Sequence, residues 1–221
     1  MIVTIDGPAG AGKSTVAKRL SEELKFNYLD TGAMYRSMVF AAISTGTDLA
    51  DPVALLETCR AADIDFRVDE IVYNGENIRD EIRTPEISRQ VKFVADHIEI
   101  RKLLVEKQRE LASTGDFVCE GRDQGTVAFP TAECKIFLTA SSSERAKRRV
   151  ADLQEKGINA EVNEIQKDQD ERDERDRQRP VGALQKADDA VEVSTDGLSI
   201  DEVVAKLATL VREKQSAAAT S

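Results

Sequence analysis

The segment Gly7-Pro8-Ala9-Gly10-Ala11-Gly12-Lys13-Ser14 constrains this chain more than any other stretch of it. It fits G-x-x-x-x-G-K-[ST], and it lies between the short apolar run 2–5 and a segment, 14–25, whose Val16, Ala17, Leu20 and Leu24 share one helical face. A buried strand, a glycine-rich bend and an amphipathic helix in that order make a loop that wraps a phosphate. Side chains at Gly7 or Gly12 would obstruct the curl that points successive N–H groups into one concavity. The helix starting near Gly12 adds its own unpaired N–H groups and the positive end of its dipole. Lys13 then reaches the β- and γ-phosphates of ATP, and the Ser14 hydroxyl is positioned to bind Mg²⁺. The candidate ATP-binding residues are Gly7, Pro8, Ala9, Gly10, Ala11, Gly12, Lys13, Ser14 and Thr15.

Downstream, residues 26–29 make a second short strand, followed by a helical segment over about 33–44. Strand, helix, strand, helix argues for an α/β fold with a parallel sheet and helices on both faces. The pattern then changes. Asp51-Pro52 opens a helix over 53–61, and two alternating apolar runs, 64–68 and 71–73, are separated by Asp69-Glu70 and followed by the turn signal Asn74-Gly75. That is a small antiparallel element, out of keeping with a parallel sheet. Helical spacing resumes from 85 through 111, and about 51–101 reads as an insertion. Residues 117–120 and 135–138 are the next core strands, 143–156 a helix, 161–179 a very polar helix, and 190–193 a last short strand. Ile200, Val203, Val204, Leu207, Leu210 and Val211 mark an amphipathic helix over 200–211, and 215–221 reads as a disordered tail.

The chain has 221 residues, enough for one α/β domain with a real core, and a net charge of −10. Such a body repels a polyanion, so a nucleic acid polymer is not expected as a partner and any phosphate site must be a local cluster of arginines and backbone N–H groups. No apolar run approaches the roughly 18 residues needed to span a bilayer, and no signal-peptide pattern opens the chain, so a cytoplasmic protein without membrane contact is expected. Cys59, Cys119 and Cys134 are odd in number and widely spaced, which fits free structural thiols better than disulfides or zinc. A monomer is the default expectation, since no residue pattern speaks to oligomeric state.

A phosphate loop alone does not separate a kinase from a switch protein or a motor. No guanine-reading N-K-x-D segment occurs in the chain, and the stretch 171–179, Glu-Arg-Asp-Glu-Arg-Asp-Arg-Gln-Arg, places Arg172, Arg175, Asp176 and Arg179 on one helical face at ~100° per residue. A solvated helix laced by pairs such as Asp168–Arg172 and Glu171–Arg175 is the bland account. Beside a phosphate loop, the same arginines suit a helical lid, about 151–180, that neutralises a transferring phosphoryl group and excludes water. Positioning and charge stabilisation then leave no need for a side-chain general base. Lys13, Arg122, Arg172 and Arg179 are the candidate catalytic residues.

Four segments in order resemble bacterial-type cytidylate kinase: 7–15, Asp30-Thr31-Gly32-Ala33-Met34-Tyr35-Arg36, Glu120-Gly121-Arg122-Asp123-Gln124-Gly125-Thr126-Val127, and 171–179. The resemblance runs from residue 1 to about 213. It implies a P-loop NTPase three-layer fold of the adenylate-kinase type, with a five-stranded parallel sheet. The core would comprise 1–50, 102–150 and 181–214, with 51–101 as the monophosphate-binding insertion. It also implies the reaction of ATP and CMP or dCMP, with Mg²⁺, to ADP and CDP or dCDP. Carried over by residue, Thr31 and Arg36 would meet the acceptor nucleotide, with Arg36 and Arg122 on its phosphate. Asp123 would accept from the cytosine amine and Arg101 would lie at the base's other edge. Arg172, Asp176 and Arg179 would come from the lid, Asp176 on the ribose hydroxyls and the arginines on phosphates.

One position departs from the family pattern: Lys92 stands where a serine touching cytosine is expected. UMP or another small acceptor is therefore the nearer alternative, and a nucleotide-dependent switch or assembly protein the more distant one. His97, the only histidine, reads as a surface or helix residue. One of Arg145, Arg148 and Arg149 is a candidate to pack on adenine.

Overall fold

The computed structural model describes residues 1–67, 70–155 and 157–219. The expected strand end at Val68, the Asp69 turn, the helix end at Lys156 and the last two tail residues lie outside the described residues. The chain forms two compact units, Met1–Tyr28 with Gly115–Ser221, and Leu29–Thr114.

In the first unit, β1 (Ile2–Asp6) enters the glycine-rich loop and α1 (Lys13–Leu24) leaves it. β2 (Asn27–Asp30) begins in this unit and runs past its boundary at Tyr28, and the unit resumes with β6 (Phe117–Gly121), β7 (Cys134–Thr139), α6 (Ser142–Glu155), α7 (Val162–Gln178), β8 (Val191–Ser194) and α8 (Ile200–Ala219). The five-stranded sheet has the order β2-β6-β1-β7-β8, with β1 parallel to both β6 and β7, and β7 parallel to β8. Central strands of such a sheet are buried on both faces and read as continuous apolar runs, and Val3, Thr4, Ile5 and Asp6 are all buried. Val16, Ala17 and Leu20 of α1 join Val203, Leu207 and Val211 of α8 in one core over Ile5, Val118, Ile136 and Leu138. Registering Val3 with Val118 and with Cys134 brings the C-terminal ends of β1 and β6 level, at Asp6 and Gly121. α/β sheets bind ligands at that edge.

The second unit contains α2 (Thr31–Ser44), α3 (Pro52–Ala61), the antiparallel strands β3 (Ile64–Phe66), β4 (Ile71–Tyr73) and β5 (Glu76–Asn77), a single tight turn Glu81–Arg83, α4 (Pro85–Ala95) and α5 (Ile98–Leu111). The β4–β5 turn is made by Asn74 and Gly75 with φ of 50° and 86°, the paired positive values that a two-residue hairpin requires. Tyr73 meets Phe40 edge-to-face at 5.9 Å, fixing the small sheet on α2. Asp51 and Thr84 cap α3 and α4, each followed by proline in the first helical turn.

Two expectations need correction. The helical spacing over 85–111 is divided between two helices, α4 and α5. His97 accepts from the Ile100 N–H and caps α5, and Asp96 ends α4, so the chain turns where the apolar spacing runs on unbroken. Residues 215–219 also continue α8 instead of fraying, because Glu213, Lys214, Gln215 and Ala217 are good helix formers that prolong a helix already anchored by its apolar stripe. Cys59, Cys119 and Cys134 are free and buried, as expected, and burial pushes the Cys59 and Cys134 thiols up to about 12 and about 11.

Candidate active site

The phosphate loop bends where β1 ends. Gly7 has φ of 149°, and a Cβ there would come within 2.0 Å of the Leu138 carbonyl oxygen on β7, so nothing larger than glycine fits. Gly12 caps α1 in the left-handed region, and the helix opens with Lys13. The Lys13 Nζ donates to the Pro8 carbonyl at 2.7 Å, lying folded into the loop that contains it. Burial, and next the charge of Arg122, lower its ionisation to about 7, against the pull of Glu120 and Asp173.

Asp6 closes the other side of the loop. Its two carboxylate oxygens accept from the Gln124 and Gly125 amides at 2.8 and 2.7 Å. That clasp holds a wide turn, Gln124–Ala128, in which the Phe129 amide reaches back to the Gln124 carbonyl at 2.7 Å. Arg122 and the buried Asp123 sit at the head of this turn, just after β6. Burial pushes the Asp6 carboxyl up to about 7, although the two amides act in the opposite direction.

Helix α7 supplies the rest. Asp176 is buried and accepts from Arg122 Nε at 3.1 Å through one oxygen and from Arg179 Nη2 at 2.6 Å through the other. Arg179 also donates to the Gly182 carbonyl at 3.3 Å. Burial alone would raise Asp176, but Arg122, Arg179 and Arg172 together outweigh it and hold its carboxyl below the usual carboxylate range. Two guanidiniums on one carboxylate leave net positive charge, as a phosphate site requires.

The expected arginine face of this helix is turned. Arg172 and Arg175 are exposed, while Asp173 and Asp176 point inward, and Arg179 lies one residue past the helix in extended conformation. The inward stripe starts from Val162 and Ile165, the only apolar residues of the helix, and continues at helical spacing through Gln169 to Asp173 and Asp176. Those two apolar residues were the signal in the sequence that set the face.

Asp173 was not anticipated as a site residue, and Arg145 was expected only as a candidate to pack on adenine. Asp173 Oδ1 accepts from the Ala9 amide of the phosphate loop at 2.8 Å. Its other oxygen accepts from Arg145 Nη1, which also donates to the Ala9 carbonyl at 2.7 Å, while Arg145 Nη2 donates to Asp170 at 3.0 Å. Arg145 is thereby committed to the loop and α7. Arg148 binds Thr195 through Oγ1 at 2.8 Å and through its carbonyl at 3.0 Å, with its guanidinium 3.8 Å from where a Gly12 Cβ would stand. Of the three adenine candidates, Arg145 is held by the fold and Arg148 lies beside the loop.

The remaining expected residues belong to the second unit. Thr31 is buried at the first position of α2, which Asp30 caps through the Ala33 amide at 2.8 Å. Arg36 donates to both oxygens of Asp30, at 3.3 and 3.2 Å. Arg101 is only 3% exposed, donates to the Ala95 carbonyl at 3.1 Å and lies 5.4 Å from the Tyr35 ring centre, so it is no ordinary surface arginine. Lys92 is exposed, its ammonium 5.0 Å over the Phe93 ring.

A parallel α/β sheet with a glycine loop, its lysine and an arginine–carboxylate cluster at the strand ends defines a P-loop nucleotide-binding protein of the kinase type. Comparison with known proteins narrows the class. The cytidylate kinase family model matches residues 3–213, and the chain belongs to that family. It is 48% identical over 221 residues to a cytidylate kinase of Rhodopirellula baltica, covering 100% of this chain and 96% of the relative. It is 46% identical over 219 residues to the cytidylate kinase of Lactobacillus johnsonii, covering 97% and 95%. A gluconokinase structure from Sinorhizobium meliloti aligns over 99% of this chain and 96% of its own, with a TM-score of 0.50 at 18% identity, a likeness of fold alone.

The lowered Lys13 ionisation has a measurable consequence. A triphosphate held against Lys13 would favour its charged form, so ATP binding above about pH 7 is expected to take up a proton, and ATP affinity to fall as pH rises from there toward the ordinary lysine value. Calorimetry in buffers of different ionisation enthalpy reads the uptake. Lys13→Met should abolish it, and an unchanged uptake in that variant would assign the proton to another group.

Proposed function

We propose that the chain transfers the γ-phosphoryl group of ATP to CMP or dCMP, giving ADP and CDP or dCDP. The observation that carries this reading is the Arg122–Asp176–Arg179 cluster, built in the same compact unit as the phosphate loop and close enough that Arg122 and Arg172 act on the ionisation of Lys13.

In this mechanism a phosphate oxygen of the acceptor attacks the γ-phosphorus, the bond to the β-bridging oxygen breaks, and ADP leaves. A monophosphate ester is already largely dianionic at neutral pH, its second ionisation lying near ~6, so no base is required. The loop amides and Lys13 hold the donor phosphates, with Lys13 swinging from the Pro8 carbonyl to do so. Arg122, Arg172 and Arg179 neutralise charge on the transferred group and exclude water. Mg²⁺ entering with ATP would supply further charge neutralisation on the phosphates. Ser14 suits it, being exposed in the first turn of α1 with a hydroxyl that makes no hydrogen bond among the described residues.

For the acceptor, Arg36 and Arg122 are assigned to the phosphate, Thr31 to the nucleotide, Asp176 to the ribose hydroxyls, and Asp123 and Arg101 to the base. Residues 51–101 serve as the monophosphate-binding insertion and 151–180 as the lid. The same reading has the enzyme acting as a cytoplasmic monomer. Among the described residues no helix is long and apolar enough to cross a membrane.

A coupled assay of ADP release with CMP, dCMP, UMP, AMP and shikimate tests the substrate. CMP and dCMP are expected to turn over well above the rest. Turnover of UMP alone would transfer the assignment to uridylate, which Lys92 makes the nearest rival. No activity with any pyrimidine monophosphate would overturn the reading.

A further inference from the structure

Asp30 is bound by more cation than its charge requires. Besides capping α2, its carboxylate accepts from Arg36, and its Oδ2 accepts in addition from Arg83 Nη2 at 3.1 Å, from 53 positions further along the chain. Arg83 is fixed between Ile82, which is fully buried, and Thr84, which caps α4. Its own amide donates to the Asp80 carbonyl at 3.1 Å. Its side chain is about half exposed and that of Arg36 mostly buried, at 45% and 22%. Gly32 allows this crowding, for a Cβ there would lie 3.0 Å from Arg36 Nη1 and 3.3 Å from Asp30 Oδ1.

One carboxylate therefore faces two guanidiniums and the positive end of a helix. Without Arg83 the single charge of Asp30 would fall wholly on Arg36 and cancel it. With Arg83 present the carboxylate is shared, and Arg36 keeps a large part of its attraction for an anion. Arg36 Nε, shielded from solvent, makes no hydrogen bond among the described residues, so the guanidinium has donor capacity that Asp30 leaves unused.

We infer that Arg83 is a positioning residue for the acceptor phosphate: by sharing Asp30 it leaves the charge of Arg36 less neutralised and its guanidinium available to the monophosphate. This rests on the reading of Arg36 as an acceptor-phosphate ligand. The test is equilibrium binding of CMP and of cytidine, which lacks the phosphate, to the full chain and to Arg83→Ala, Arg83→Lys, Arg36→Ala and the double alanine variant. Steady-state KM values are measured alongside.

Arg83→Ala is expected to weaken CMP about tenfold, the scale of a hydrogen bond to a charged group. Cytidine binding should be unchanged, the KM for CMP should rise in step while that for ATP does not, and Arg83→Lys should recover most of the loss. Because Arg83 acts through Arg36, it should cost nothing further in the Arg36→Ala background. Equal weakening of CMP and cytidine, no weakening of CMP, or losses that multiply in the double variant would each overturn the inference. Should Arg83→Ala fail to fold, Arg83→Gln serves in its place. Failure of the unmodified chain to bind CMP overturns the acceptor reading itself, a result distinct from all of these.

Discussion

Arg179→Ala is expected to lower kcat by about 10³-fold or more, the range for an arginine that stabilises a transferring phosphoryl group, while the affinity for ATP alone stays nearly unchanged. Arg179 is not a loose surface cation. Its side chain is 6% exposed and tied at 2.6 Å to Asp176, which also holds Arg122 at 3.1 Å. The two guanidiniums are thus set before any substrate arrives, and setting them costs nothing at the moment of transfer. Removing one leaves the carboxylate to neutralise the other, so charge stabilisation is lost twice over. Arg179→Lys should recover only part of the rate, because an ammonium restores the charge without the planar fork. Single-turnover kinetics alongside calorimetric ATP binding would separate the effects. An equal loss of ATP affinity would place Arg179 in the donor site or in the fold, against the assignment made here.

Asp173→Ala should have the largest effect on stability, about 3 kcal/mol or more, as expected when one partner of a buried ion pair is removed. Asp173 is 1% exposed and its partner Arg145 4%, and the change would also strip the Ala9 amide of its acceptor. Asp170 still faces Arg145 at 3.0 Å, which keeps the loss toward the lower end of the range. Asp173→Asn retains an acceptor for Ala9 and should lose less. Replacing Arg145 and Asp173 together by Met and Leu should also lose less than removing Asp173 alone. Urea unfolding measures all three. A loss below about 1 kcal/mol for Asp173→Ala would mean that Asp170 alone satisfies Arg145. Since the pair ties α7 to the loop backbone at Ala9, the same variant should loosen the phosphate loop.

What was legible beforehand was local chemistry. The glycine loop, the Asn74-Gly75 hairpin and the amphipathic face of α8 each follow from residues a few positions apart. The break at Asp96-His97 was hidden because apolar residues recur at helical spacing across it, and only the His97 cap reveals it. Asp173 and its pairing with Arg145 were hidden for a different reason. In a run such as 171–179 every charged residue reads as solvated, and burial of one carboxylate depends on a partner from α6 that no spacing rule connects to it. Arg83 meets Asp30 across 53 positions, through packing of the tight turn it ends. The lesson concerns range: motifs show which groups do the chemistry, whereas the groups that hold them come from tertiary contacts.

The claim on which the rest depends is that one active site binds a triphosphate and a monophosphate end to end. A molecule joining cytidine and adenosine 5′ to 5′ through five phosphates would have to fill both positions at once. Its binding to the full chain, measured by calorimetry in competition with ATP and with CMP, is expected to be one-to-one, much tighter than either nucleotide and exclusive of both. Binding no tighter than ATP, with CMP still able to bind beside it, would contradict the account.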